Sequence, residues 1–212
     1  MMRRIHIVGG PGSGKTTLAR RLAAQLQIPT YDLDDIAFEG PHFQWRPLEA
    51  RLADVSRIAA QPAWVTEGVW LGWVDELLHA AEVVVWLDAV TAYTALRRCL
   101  GRFAHDSWQE TKRQPGVRKV NRFGDYGRNL VLFSRSVYHD WMYYTRPGPT
   151  PLGMDAQAAT TRAATARHLA AFASKLVHCR SEADSDALCR RVMNTGRSTS
   201  GQTPERLEWL KE

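Results

Sequence analysis

The sequence predicts an α/β domain of three layers, a parallel five-stranded sheet flanked by helices. Three observations predict it. Short, unbroken apolar runs recur at Ile5–Val8, Pro29–Leu33, Ala63–Thr66, Val83–Leu87 and Leu176–Cys179. Runs without polar alternation suit strands buried on both faces, as parallel strands are. Stretches with helical periodicity separate them, so the chain alternates strand and helix.

The elements follow in order. After the first run, Leu18, Leu22 and Leu26 stand at i, i+4 and i+8, one helical stripe that Pro29 stops. Leu48, Leu52, Val55 and Ile58 form a second stripe behind Pro47, which suits a first helical position. Tyr93, Leu96, Leu100 and Phe103 form a third. From 104 to 128 the periodicity fails and Pro115, Gly116, Gly124 and Gly127 appear, which reads as a mobile insertion. A helix resumes over Asn129–Tyr144, the stretch 145–153 is a rigid connector, and the Ala-rich 156–173 is a helix feeding the last strand. Ser181, with Asp184 three residues on, caps a final helix. The domain is expected to span 1–193, with 194–212, rich in Ser, Thr, Gly and charge, as a loose tail.

Composition excludes several classes. At 212 residues, 44% hydrophobic and 24% charged, the chain resembles an ordinary soluble globular protein. No apolar run approaches the about 20 residues of a membrane span. The apolar run near the start is too short for a signal peptide, so the cytoplasm is the expected compartment. Cys99, Cys179 and Cys189 are odd in number without CxxC spacing, which argues for reduced thiols and against a zinc site. The net charge of +6 is local: Arg97 to Arg146 holds 11 basic and 4 acidic residues, +7, and the remainder sums to −1. Such a segment handles anions, or is simply a solvated arginine-rich face.

The glycine loop carries the strongest signal. Gly9-x-x-x-x-Gly14-Lys15-Thr16 satisfies the phosphate-loop pattern and lies between a strand and a helix, as that pattern requires. Backbone N–H groups surround a phosphate chain only where side chains are absent, hence Gly9, Gly10, Gly12 and Gly14. The following helix points its positive end at the same anion. Lys15 then reaches the β and γ phosphates and the Thr16 hydroxyl ligates Mg²⁺, with Ser13 and Thr17 completing the loop. Mg²⁺ and ATP are the expected cofactors.

Candidates for the phosphate acceptor site follow at the strand ends, where open parallel sheets bind ligands. In "YDLDDIAF" (31–38), Asp32 and Asp34 are two positions apart and would share a side of the strand. One would order Mg²⁺ while the other takes a proton from an acceptor hydroxyl. The alternative is an acidic N-cap for the next helix, with Asp35 the best candidate. Glu67-Gly68 ends the third strand, where the glutamate holds the acceptor or caps a turn. Asp88 closes "VVVWLD" (83–88), the form of a Walker B strand that reaches Mg²⁺ through water, or an ordinary cap. Phe38, Phe43, Trp45, Trp70 and Trp73 flank this region, as a stacking surface or as core.

The glycine loop, Asp34, the "EG" after the third strand, the "WLD" strand and the arginine-rich helix after it resemble adenylate-kinase-like P-loop kinases, with a nearer likeness to DNA topology modulation proteins. The resemblance covers 3–103 and about 175–192. Asp32-x-Asp34 is also similar to shikimate and gluconate kinases, which implies Mg²⁺ and acceptor-hydroxyl roles for that pair. It implies a lid after the fourth strand whose arginines close over the phosphates, matching Arg97, Arg98 and Arg102, and an adenine site at Arg180-Ser181. The helical arginine that grips a monophosphate in adenylate kinases has Arg46, Arg51 and Arg57 as candidates. Under this likeness the +7 segment becomes an enlarged basic lid. The reading is an ATP-dependent phosphotransferase that moves the γ-phosphate of Mg-ATP to a hydroxyl or phosphate of a small acceptor, a nucleoside or nucleotide among the candidates, in a monomer or homodimer without membrane contact. Its rival is a nucleotide-switched regulatory protein whose basic segment grips nucleic acid.

Overall fold

In the computed structural model the described residues are 2–40, 44–101, 137–138, 140–146 and 160–197. The insertion at 104–128, Phe43, Arg102, Phe103, most of the 145–153 connector and residues 198–212 lie outside them.

Five parallel strands form the main sheet in the order β2-β5-β1-β6-β7. They are β1 (Arg4–Gly9), β2 (Thr30–Asp32), β5 (Trp64–Gly68), β6 (Val83–Leu87) and β7 (Leu176–Cys179). β1 lies at the centre, where Ile7 pairs with Glu67 on one side and Val85 on the other. Every residue of β5 and β6 is buried, so both faces are covered. Side chains alternate between two cores. Ile5, Ile7, Val65 and Val85 meet Leu18 and Leu22 of α1 (Lys15–Leu26) and Leu188 and Val192 of α8 (Glu182–Arg197). Val8, Trp64, Val84 and Trp86 meet α2 (Leu33–Ala37), α3 (Leu48–Ala59) and α4 (Asp75–Ala80), and Leu169 at the end of α7 (Arg162–Leu169). The stripe of α1 is thus the one its leucines predicted.

Several expectations change. The second strand stops at Asp32, because Leu33 begins α2 and is fully buried there. The third strand does end in Glu67 and Gly68, both buried within β5. A two-stranded antiparallel ribbon, β3 (Phe38–Glu39) with β4 (Gln44–Trp45), follows α2 and brings Phe38 opposite Trp45. The third stripe is not a core stripe. Residues 92–101 are helical (α5), but Tyr93 is 74% and Leu100 47% exposed, and the buried positions are Ala95 and Cys99. Small side chains face inward because this helix packs directly on the glycine loop. The Ala-rich stretch forms α7 and then a 3₁₀ segment, Ala170–Lys175. α8 continues through Arg197, so the first four residues of the expected tail are helical. Ser181 and Asp184 do cap it: Asp184 N–H donates to Ser181 Oγ (3.2 Å) and Ser181 N–H to Asp184 Oδ2 (2.9 Å). All three cysteines are buried and none forms a disulfide. Among the described residues, no helix is long and apolar enough to cross a membrane.

Candidate active site

The glycine loop joins β1 to α1 at the C-terminal edge of the sheet, beside the ends of β5 and β6. Gly12 (φ 69°) and Gly14 (φ 92°) adopt left-handed backbone, which a side chain disfavours and which turns successive N–H groups to one side. Gly14 is also the N-cap of α1 and provides no side-chain cap, leaving the first N–H groups of the helix for an anion. Three donors hold the loop carbonyls: Lys15 Nζ on Gly10 O (3.1 Å), Tyr144 Oη on Pro11 O (2.7 Å) and Arg98 Nη1 on Gly12 O (3.0 Å). Pinning the carbonyls fixes the peptide planes, and with them the direction of the N–H groups. Ser13 Oγ is buried without a hydrogen-bond partner among the described residues. Thr17 is exposed.

Tyr144 belongs to α6, described over 137–138 and 140–145. A Cβ built on Gly10 would lie 2.3 Å from Tyr143 Cε1 and 2.5 Å from Tyr144 Oη, so only glycine admits these rings. A Cβ on Gly9 would meet the Leu87 carbonyl at 2.7 Å, the reason for glycine at that strand end.

Carboxylates gather beside the loop. Thr16 Oγ1 donates to Glu67 Oε1 at 2.6 Å, and Glu67 is paired in register with Asp32 across β5 and β2. Glu67 is only 3% exposed, and burial lifts its pKa above the ordinary carboxylate value, against the pull of the Thr16 hydroxyl. Asp32, Asp34 and Lys15 all act on Glu67 through their charges, which places the four groups in one electrostatic neighbourhood.

Asp32 and Asp34 do not share a strand face. Asp32 ends β2 and is the N-cap of α2, accepting from Asp34 N–H at 2.9 Å, so the capping role expected of Asp35 falls to Asp32. Asp34 stands in the first helical turn, where Trp70 Nε1–H donates to its Oδ1 at 2.8 Å. Its side chain reaches solvent, yet the crevice strips away hydration and raises its pKa, assisted by the Asp32 charge. Gly68 makes this junction: a Cβ there would come within 2.9 Å of Leu33 Cβ.

Asp88 is placed differently from the Walker B expectation. Its side chain is 3% exposed, and Arg162 Nε and Nη2 take its two oxygens at 2.6 and 2.7 Å. His178 Nε2 lies 3.0 Å from Oδ2, and its ring stacks on Trp86 at 4.1 Å. With both oxygens in a fork–fork ion pair, Asp88 faces a cleft of about 650 Å³ lined by Tyr144, Arg146, Arg162, His178 and Arg180. Arg180 donates to His178 Nδ1 at 3.3 Å and so belongs to that cleft. Arg98, besides holding Gly12, pairs with Glu182 at 3.0 Å.

The three arginines that were candidates for a monophosphate grip are placed as follows. Arg46 and Arg57 both bind Asp54, at 2.7 and 2.6 Å. Arg51 is 2% exposed, between the rings of Trp45 and Trp73 at 5.2 and 5.3 Å. The aromatic residues are largely wall and core: Phe38, Trp45 and Trp70 meet edge-on or tilted, with centroids 4.7–5.7 Å apart. No pattern in the sequence marks Tyr144, Arg162 or His178, whose contacts with the loop and Asp88 span 74 to 133 residues.

No protein-family model matches the chain, and no curated protein matches it. Among solved structures it is similar to a shikimate kinase from Bacteroides thetaiotaomicron, at 14% identity over 92% of this chain and 98% of that one, with a TM-score of 0.41. It is similar to a shikimate kinase from Acinetobacter baumannii in complex with shikimate, at 20% identity over 82% and 96% with a TM-score of 0.38. A gluconokinase from Sinorhizobium meliloti 1021 gives 12% identity over 91% and 94%, with a TM-score of 0.40. At such scores these are distant likenesses, and the chemistry below rests on the site's own geometry. The likeness to DNA topology modulation proteins remains one of motifs.

Proposed function

We propose that the protein is an ATP-dependent phosphotransferase that moves the γ-phosphate of Mg-ATP to a hydroxyl of a small acceptor. The observation that supports it is the meeting of an anion cradle, a hydroxyl–carboxylate pair and a further carboxylate at one sheet edge: Gly12–Lys15, Thr16 with Glu67, and Asp34. The loop N–H groups and Lys15 bind the phosphates. Lys15 exchanges the Gly10 carbonyl for phosphate oxygens.

The hard oxygen donors of Thr16, Glu67 and Asp32 fit Mg²⁺, which keeps waters and phosphate oxygens as most of its ligands. When bound, Mg²⁺ neutralises phosphate charge.

Asp34 takes the proton from the acceptor hydroxyl as the new O–P bond forms, the bond to the bridging oxygen breaks, and ADP leaves with that oxygen. A carboxylate with a raised pKa is a stronger base than an ordinary one, suited to that step. Arg98, at the mouth of the loop, and Arg102 are the candidates for neutralising the transferring group, and Arg180 for the nucleotide's base side. Asp88, committed to Arg162, is a structural anchor in this scheme.

Calorimetry with Mg-ATP, and ADP release over a panel of hydroxyl-bearing acceptors, test the proposal. Lys15→Ala should abolish measurable nucleotide binding. Asp34→Asn should leave binding intact and lower turnover at least a hundredfold, within the range of general-base contributions. Full turnover in Asp34→Asn would remove the base role, and absence of ATP or ADP binding by the wild type would remove the function.

A further inference from the structure

Trp70 stands two residues beyond the end of β5, and its indole does more than fill space. Its ring is fixed on three sides by Phe38 (centroids 5.7 Å, 68°), Trp45 (5.1 Å, 76°) and Trp73 (6.3 Å, 44°). Those contacts account for a large apolar ring, and a phenyl group would satisfy most of them. They do not account for where the N–H points. That donor, a ring N–H with no acceptor capacity and no titration near neutral pH, meets Asp34 Oδ1 at 2.8 Å across 36 positions of sequence.

A carboxylate on a helical first turn otherwise rotates broadly about χ2, and Asp34 is pushed by the neighbouring Asp32 charge. The Asp34 side chain has one hydrogen bond among the described residues, and it comes from Trp70. Oδ2 has no hydrogen-bond partner among them. Gly68 brings the partners together, since a Cβ there would also press on Trp70 Cδ1 at 3.2 Å.

We propose that Trp70 is a positioning residue: its indole N–H locks one oxygen of Asp34 so that the other is presented to the acceptor hydroxyl. The inference rests on the kinase reading, since it assigns Trp70 to the step that Asp34 performs. A merely structural tryptophan would act through stability alone. A positioning tryptophan acts on the rate of transfer, because a misaligned base is costly even when it is bound in place.

Trp70→Phe keeps the stacked ring and deletes the donor. In the ADP-release assay, with shikimate, gluconate, nucleosides and nucleoside monophosphates as acceptor probes, the expected result is a kcat lowered about tenfold or more, consistent with loss of a hydrogen bond to a charged group. KM for ATP and the melting temperature should stay at wild-type values. An unchanged kcat, or a loss matched by equal losses of melting temperature and ATP binding, overturns the proposal. A second measurement needs no Trp70 variant to fold and no acceptor. In ¹⁵N-tryptophan-labelled protein, the Trp70 indole resonance should shift upfield in ¹H and exchange with deuterium at least tenfold faster in Asp34→Ala. An indole signal that does not move overturns the pairing. Failure of every acceptor in the wild type removes the kinase reading instead, while the indole signal still decides the pairing.

Discussion

His6 lies in the middle of β1 with no solvent exposure, and burial pushes its imidazole down to about 3, only partly opposed by the Asp75 charge. It meets Thr66 Oγ1 at 2.7 Å as a neutral ring. A base held below its unfolded value of 6.5 leaves stability intact above that pH and withdraws it as the pH falls toward the folded value. Each pH unit below about 6.5 then costs up to about 1.4 kcal/mol. Wild type and His6→Gln should therefore diverge: between pH 7 and 4.5 the wild-type urea midpoint falls more than that of the variant. Glu67 has the opposite sign. Its raised pKa makes the folded state favour the protonated form, so its contribution is present at low pH and lost as pH rises. Glu67→Gln should raise the neutral-pH denaturation midpoint without nucleotide, while weakening Mg-ATP binding. At this scale the sequence was readable at Gly12 and Gly14, whose left-handed backbone the loop pattern calls for, whereas Gly9 and Gly10 answer to the Leu87 carbonyl and to the rings of Tyr143 and Tyr144, which no local pattern showed. It was misleading for Asp32 and Asp34: two alternate carboxylates look alike on a strand or at a helix start, and the buried Leu33 decided for the helix.

Elements obey the same logic with different evidence. The leucines of α1 read correctly because an amphipathic stripe against a sheet has few alternatives. The stripe in α5 misled, because packing on a glycine loop selects the smallest side chains, Ala95 and Cys99, and turns the large ones outward. The β3–β4 ribbon escaped notice because two-residue strands have too few positions to show alternation. Helix ends give a direct test. Thr161, 1% exposed, caps α7 by accepting from Ala164 N–H at 3.1 Å. Thr161→Ala should cost about 1–2 kcal/mol, read as a lowered urea midpoint. Because Arg162 begins the same helix, the Asp88 ion pair should loosen with it.

For the whole molecule, two cores enclose a sheet whose C-terminal edge collects charged groups brought from separate helices. Ligand binding there should be visible in the melting curve. Mg-ATP at a hundred times its dissociation constant adds about 2.7 kcal/mol, or about 5–10 °C for a domain of this size. Lys15→Ala should show no such rise in a thermal scan with and without Mg-ATP. The class of the sheet was legible, since unbroken apolar runs imply parallel strands; the order of those strands and the partners across them were not, because contacts such as Trp70–Asp34 obey no spacing rule.

The hydroxyl of Tyr144 on the Pro11 carbonyl ties the glycine loop to a helix 133 positions later in the chain. The signature motif therefore does not hold all of its own loop carbonyls. A fragment stopping at residue 101 would carry the entire glycine motif together with Asp34, Glu67 and Asp88, yet leave the empty space over Gly10 unfilled and one peptide plane unheld. Tyr144→Phe poses the same question gently, and Mg-ATP affinity reduced severalfold, with the fold preserved, is the answer this architecture requires.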